Sequence, residues 1–381
     1  MRSGSTADPP GETRDYNAFM PHPEKRDLDH ARTRLEAFLA RGRPDAEGLA
    51  IANLRAPSNT GFSSETLLFE VHWRERGAPR SEKLVARIEP RGFNVFPSYD
   101  LTVQFRVMSA LAKDTNVPVP AMREHDWSDA TLGAAFYTME FLDGWVPSDN
   151  PPMHQAGKLA EEMTPAEREQ VWWSGVEAMC RVHDADPEKL ELGFLDEPGR
   201  GADALAQHLH YYDAYLSWGL VERARYPLLE RALGWLQDNA PANEPVALCW
   251  GDSRLANQIY SGVECIGVLD WEMVRLGNPV QDVAWWVALD RCFWEGIGLS
   301  RLAGLPGRDE TLAHWRDRTG RSLDGIDYYE VFALMKFAAI IARLGRQMKH
   351  YEVLPADNEM DVTNFASAIL AKKLAELGVP T

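Results

Sequence analysis

The sequence predicts an α+β protein built from two unlike parts, a β-rich N-terminal part and a mainly helical C-terminal part. Three observations carry this expectation. Residues 49–88 and 134–141 are dense in β-branched, aromatic and aliphatic residues, as strands are. Beyond Asp143-Gly144 the apolar residues recur at helical spacing through most of the remaining chain. A short β-rich patch, residues 246–269, interrupts those helices. A chain of 381 residues, 45% hydrophobic and with 13 Trp, can bury a sizeable core in such an arrangement.

Residues 1–24 are polar and rich in Pro, Gly and charge, and read as a flexible arm without the apolar run of a secretory signal. A helix is expected at 28–40, where Leu35, Phe38 and Leu39 share a side. Strands are expected at 66–73 and 83–88, with 74–81 as a hairpin loop because it carries Gly77 and Pro79. Val103, Val107 and Leu111 are spaced by four, which predicts a helix over 99–112. Val117-Pro118-Val119-Pro120 must be extended, since proline disfavours helix at the residue before it. Residues 134–141 give another strand. Thr164-Pro165-Ala166-Glu167 is a capping box with proline at the first helical position, opening a helix to about His183. Further helices are expected at 203–218, 226–238, 280–291, 309–318, 327–350 and 360–376. The division is thus 1–24, 25–143 and 144–381, with a ligand cleft expected between the last two.

The net charge of −17 argues against a nucleic-acid or anionic-membrane partner. No stretch has the length and apolarity of a membrane span. The four cysteines form no C-x-x-C pair and sit among apolar residues, so buried free thiols in a reducing, cytoplasmic setting are expected.

The chemistry concentrates between Cys249 and Trp286. Asp252 and Asn257 lie five residues apart between two apolar runs, and Asp270 closes the next run. Two short strands joined by a loop can bring all three to one mouth. Phosphoryl transfer needs such a set: one carboxylate to orient or deprotonate the attacking hydroxyl, and hard oxygen ligands for Mg²⁺. The kinase catalytic loop spaces its Asp and Asn in the same way.

This stretch resembles the aminoglycoside phosphotransferase family, which includes choline-kinase-like members and an acyl-CoA-dehydrogenase-associated branch. The resemblance rests on Gly251, Asp252, Asn257, Asp270, Trp271, Gly277, Pro279 and Asp282. It implies a protein-kinase-like bilobal fold over roughly residues 45–350. It implies Asp252 as catalytic base, Asn257 and Asp270 as Mg²⁺ ligands, and Asp282 as a support for the catalytic-loop backbone. Arg254 would neutralise charge on the transferring phosphate. Trp250 departs from the family's usual His.

In the N-terminal part, Ser58, Asn59, Thr60, Gly61, Phe62 and Ser63 resemble the loop that covers the phosphates. Ser58 would contact phosphate or simply cap that loop. Arg87 stands where founding members have a lysine for the α- and β-phosphates, and shares a strand face with Val85. Gln104 aligns with the glutamate that usually pairs with that cation, with Glu89 or Glu65 as substitutes. Backbone groups near Glu140 and Leu142 would meet the nucleotide base.

Several residues have plainer readings. His183 reads as a helix-end residue, and Trp172, Trp173, Trp285 and Trp286 read as packing. Glu272 would orient a metal-bound water, bind substrate, or pair with Arg275. The resemblance implies an enzyme that uses ATP or GTP with Mg²⁺ to phosphorylate a small hydroxyl-bearing substrate. An aminoglycoside would need an acidic pocket, and a hydroxy acid or its thioester would need basic groups. A non-catalytic nucleotide-binding pseudokinase is the reading from another class, motivated by Gln104 and Trp250. A phosphate-ester hydrolase would need a dense His/Asp cluster that the sequence lacks.

Overall fold

The computed structural model describes residues 26–57 and 65–380. A helix α1 (Leu28–Gly42) is capped by Asp27, whose side chain accepts from the N–H groups of Asp29 and His30. Then come β1 (Ala46–Arg55), β2 (Glu65–Glu75), β3 (Ala78–Ile88), α2 (Leu101–Asp114), β4 (Met122–Asp126) and β5 (Phe136–Glu140). These strands form an antiparallel sheet in the order β1-β2-β3-β5-β4. The β2–β3 turn is only Arg76-Gly77, both at positive φ, so the strands run closer together than the expected 74–81 loop allowed. Pro79 is accommodated within β3 opposite Arg74, where β5 does not reach the other edge of that strand.

Alternation along β3 sorts the two faces of the sheet. Leu84, Ala86 and Ile88 pack with Ala31, Leu35 and Leu39 of α1, while Val85 joins the larger core with α2 and the helical part. Arg87 has the parity of Val85 and therefore faces the helical part.

After β5 the chain is helical: α3 (Lys158–Glu161), α4 (Pro165–Asp184), α5 (Ala204–Gly219) and α6 (Pro227–Asp238). Thr164 and Glu167 form the expected capping box. Four short strands follow: β6 (Ala247–Cys249), β7 (Gln258–Ser261), β8 (Glu264–Val268) and β9 (Arg275–Gly277). β6 pairs with β9 and β7 with β8. The chain ends in α7 (Val280–Trp294), α8 (Arg308–Thr319), α9 (Ile326–His350) and α10 (Phe365–Glu376). α9 is buried along nearly its whole length and packs on α7, α10 and α6. α10 begins later than the expected 360, because Asn364 supplies the cap.

The two parts are stitched at a few points. Val268 N–H donates to Pro118 O at 2.7 Å, and Trp145 and Tyr260 exchange backbone hydrogen bonds at 2.9 and 2.8 Å. The extended Val117–Pro120 segment leaves that carbonyl free to accept. The four cysteines are free and buried. Among the described residues no helix is long and apolar enough to cross a membrane.

Candidate active site

The loop after β6 is set by one glycine and one buried carboxylate. Gly251 sits at φ +92°, and a Cβ there would lie 2.1 Å from the Met273 carbonyl oxygen, so any side chain clashes. Pro279 opens α7 and places Asp282 in its first turn. The Asp282 carboxylate accepts from Trp250 N–H at 2.7 Å and Gly251 N–H at 2.9 Å. His183 Nε2 meets it at 3.0 Å. Trp315 Nε1 can only donate, and it reaches His183 Nδ1 at 3.0 Å. His183 therefore carries its proton on Nε2 and donates to Asp282. Ser253 Oγ donates to Asp282 O at 2.7 Å. His183 thus has a larger part than closing a helix.

Asp252 is presented by this loop. It is 8% exposed. Asn257 Nδ2 donates to its Oδ2 at 2.7 Å and to its carbonyl at 3.0 Å, and Trp285 Nε1 donates to Oδ1 at 2.8 Å. Burial pushes the Asp252 carboxyl above its ordinary pKa, with Arg254 opposing that rise. Arg254 Nη1 lies 2.5 Å from Asp149 and its Nε 3.3 Å from Asp252, so its charge is already engaged by two carboxylates. Burial works against that charge, but Asp149 and Asp252 outweigh it and hold the pKa above the usual arginine value. A crevice lined by Asp149, Arg254, Met153, Trp286, Leu289 and Phe293 opens beside it.

Asp270 caps the next loop with φ 60° and ψ 65°, a left-handed conformation that Asp adopts more readily than most residues. Two indoles hold this loop: Trp250 Nε1 donates to Leu269 O at 2.7 Å and Trp271 Nε1 to Val268 O at 3.1 Å. Leu269 N–H donates to Asn257 O at 2.9 Å, which ties the two loops together. Trp250 therefore does a hydrogen-bonding job that its indole N–H can fill. Arg87 Nη2 reaches across from β3 to Asp270 Oδ1 at 3.0 Å, and Nη1 to Thr66 Oγ1 at 3.3 Å.

The oxygen donors suit a magnesium ion. Asn257 spends its amide nitrogen on Asp252, so its Oδ1 is the atom that would bind a metal. Asp270 supplies a carboxylate from the adjoining loop. Among the described residues no group of three or more His, Cys, Asp or Glu could cage a metal. Magnesium bound through one or two protein oxygens, with phosphates and waters completing its shell, needs none.

The remaining expectations fare differently. Ser58, Asn59, Thr60, Gly61, Phe62 and Ser63 lie outside the described residues. Gln104 is buried but does not pair with Arg87: Tyr137 stands between them, its hydroxyl donating to Gln104 Oε1 at 3.3 Å and bonding to Arg87. A neutral amide cannot compete with Asp270 for a guanidinium. Glu65 is taken by Arg26 at 2.7 Å, and Arg87 makes its ion pair with Asp270 instead. Glu140 N–H donates to Ala121 O at 2.9 Å and Phe141 N–H to Lys83 O at 3.1 Å, so Leu142 is the first residue to leave the sheet. Glu272 lies where its charge acts on Arg87, Tyr99 and Tyr137. Trp285, read as packing, instead donates directly to Asp252. No spacing signal distinguishes it from Trp286.

The model of the phosphotransferase enzyme family matches residues 64–314. Acyl-CoA dehydrogenase family member 10 of Mus musculus is 30% identical over 205 residues, 53% of this chain and 18% of that protein. The probable acyl-CoA dehydrogenase IBR3 of Arabidopsis thaliana is 29% identical over 300 residues, 74% of this chain and 34% of that protein. The chain thus spans about a fifth to a third of these relatives. Among solved structures, a putative aminoglycoside phosphotransferase from Ralstonia eutropha superposes with a TM-score of 0.64 at 22% identity, over 90% of this chain and 98% of that one. A thermostable mutant of aminoglycoside phosphotransferase APH(4)-Ia, in complex with AMP-PNP and hygromycin B, gives 0.55 at 14% identity, over 91% and 99%.

Proposed function

The chain belongs to the phosphotransferase enzyme family, and we propose that it transfers the γ-phosphoryl group of ATP or GTP to a hydroxyl of a small molecule. The observation that carries this reading is the Asp252–Asn257–Asp270 arrangement. One buried carboxylate is oriented by two N–H donors, one of them Asn257 on its own loop, and Asp270 sits on a second loop bonded to that one.

Asp252 would accept the proton of the acceptor hydroxyl as that oxygen attacks, and burial raises its basicity for the task. Asn257 and Asp270 would hold Mg²⁺, which supplies charge neutralisation at the phosphates. Arg87 is placed to exchange its contact with Asp270 for the α- and β-phosphates, which a guanidinium binds bidentately. Arg254, held between Asp149 and Asp252, would add positive charge beside the transferring group. The 58–63 segment and the backbone near Glu140 and Leu142 are proposed to cover the phosphates and meet the base. The lobe boundary near residue 144 and a cytoplasmic location belong to the same proposal.

The test is nucleoside diphosphate release from ATP and from GTP with a panel of hydroxyl-bearing acceptors and Mg²⁺. Acceptor-dependent release that collapses in Asp252→Ala supports the reading. Release indifferent to that substitution removes Asp252 from the mechanism. Triphosphate binding with no transfer to any acceptor favours the pseudokinase alternative.

A further inference from the structure

A second cavity lies away from Asp252, where the end of α9 meets the turn between α5 and α6. It has a volume of about 280 Å³ and is lined by Arg225, Arg346 and Lys349 together with Glu222, Asp361 and Val221. Arg346 and Lys349 stand about 15–20 Å along α9 from Lys336. The Lys336 ammonium is 4.7 Å from the Trp285 ring that donates to Asp252. None of the residues lining this cavity takes part in the proposed transfer.

The acidic groups of the lining do not cancel the basic ones. Asp361 is 2% exposed, and its Oδ1 takes the Lys349 ammonium at 2.7 Å, so these two offset each other. Arg225 stands farther off, 3.9 Å from Asp361 Oδ2. Arg346 donates to a neutral group, Gly219 O at the C-terminal end of α5, at 2.9 Å. Arg343, almost one turn earlier on α9, points Nη1 at the same carbonyl at 3.5 Å and donates from Nε to Asn94 O at 2.9 Å. One carbonyl is capped by one of these guanidiniums, which leaves the other's charge as surplus. Burial, and then repulsion from Arg346, bring the Arg343 guanidinium down to about 10. The charges meet again at Tyr226, where burial and Asp361 raise the hydroxyl pKa while Arg346 and Arg225 oppose them. Two arginines thus line the cavity, with a third behind them, against the Glu222 carboxylate at the exposed rim. A chain of net charge −17 does not gather positive charge in one hollow by composition alone. The wall is also partly apolar: Val221 is 71% exposed, and the half-exposed Trp218 stacks on Arg343 at 4.3 Å beside it.

We propose that this cavity is a binding site for a small phosphate ester, with Arg225 and Arg346 on the phosphate oxygens and the organic part against Val221. A guanidinium offers a planar fork of donors that matches phosphate, and phosphate offers oxygens to donors arriving from different directions. The hollow is larger than a bare phosphate fills, which leaves room for the organic part. The site is separate from the cleft, and it stands whether or not Asp252 serves as a base.

The experiment is calorimetric binding to the full chain, with Mg²⁺ and a saturating non-hydrolysable triphosphate so that phosphate groups in the cleft are already supplied. The probes are inorganic phosphate, glycerol phosphate and acetate. The wild type should bind one glycerol phosphate per chain, more tightly than inorganic phosphate and at least ~10-fold more tightly than acetate. Arg346→Gln and Arg225→Gln should each weaken it by about 10-fold or more, with thermal stability and triphosphate affinity unchanged. Glu222→Gln removes the opposing carboxylate and should tighten it by about 2–5-fold. Absence of binding, acetate bound as well as the ester, or binding that survives both arginine substitutions overturns the site. The same arginine variants decide the matter if triphosphate itself fails to bind, a result that would count against the kinase reading alone.

Discussion

The two sides of the cleft are held in very different ways. On the helical side, the segment from Cys249 to Asp282 is fixed many times over. Asp282 takes two backbone N–H groups and His183, Asp252 takes Asn257 and Trp285, and two indoles lock the Asp270 loop. On the sheet side, Arg87 is the one described cation that reaches the cleft loops by an ion pair, and it does so through Asp270. The difference teaches that the helical-side loops are fixed by several independent hydrogen bonds, whereas the sheet side meets them through a single contact; on the proposed function, the first would set the geometry of transfer and the second would trade its contact for the triphosphate. Substitutions on the helical side should therefore cost stability and turnover together, and those on the sheet side should act on nucleotide binding.

The largest expected effect is that of Asp252→Asn, which keeps the shape but removes the base. Turnover should fall ~10²–10⁴-fold while triphosphate binding persists, read by steady-state kinetics alongside calorimetry. Next comes Asp282→Ala, which leaves Trp250 N–H, Gly251 N–H and His183 without their acceptor. It should destabilise the protein by about 3 kcal/mol or more in chemical denaturation and abolish transfer as well. If stability fell without loss of turnover, the loop would not be set by this carboxylate.

Arg87→Ala should raise the KM for triphosphate by roughly 10–100-fold with a smaller change in turnover, and Arg87→Lys should recover part of it. An equal loss of turnover would erase the contrast between the two sides. Arg254→Ala removes a cation that opposes the burial-driven rise of the Asp252 pKa. The base works deprotonated, so the acid limb of the pH–rate profile should move to higher pH. Movement to lower pH would contradict the assignment. The smallest effect expected is that of Trp250→Phe, which leaves the Leu269 carbonyl without its donor at a cost of ~1 kcal/mol.

Where local rules decide structure, the sequence was readable. The Thr164–Glu167 capping box, the four-spaced valines of α2 and the alternation that turns Arg87 toward the cleft all appear where patterning puts them. Pro79 misled, because its position on a stretch that β5 does not cover is a fact of the sheet and not of the strand. That Asp252, Asn257 and Asp270 lie on adjoining loops was readable because five-residue spacing and chain-adjacent strands fix those loops locally. What could not be read were partners brought from far along the chain. Gln104 was aligned with a role that Asp270 fills, 183 residues from Arg87. Trp285 reads like the other apolar positions of α7 until its indole is seen on Asp252. Lys336 shows only as the one charge of an apolar run, residues 331–342, and nothing in its spacing says that the Trp285 ring lies 4.7 Å from its ammonium.

The most direct test follows phosphorus itself. Purified protein, Mg²⁺ and ATP are incubated with each of a panel of small hydroxyl-bearing acceptors, and ³¹P NMR follows the products over time. The account predicts a growing phosphomonoester resonance that matches loss of the γ-phosphate signal, and no such resonance with Asp252→Asn. A phosphomonoester formed at the same rate by that variant would contradict it.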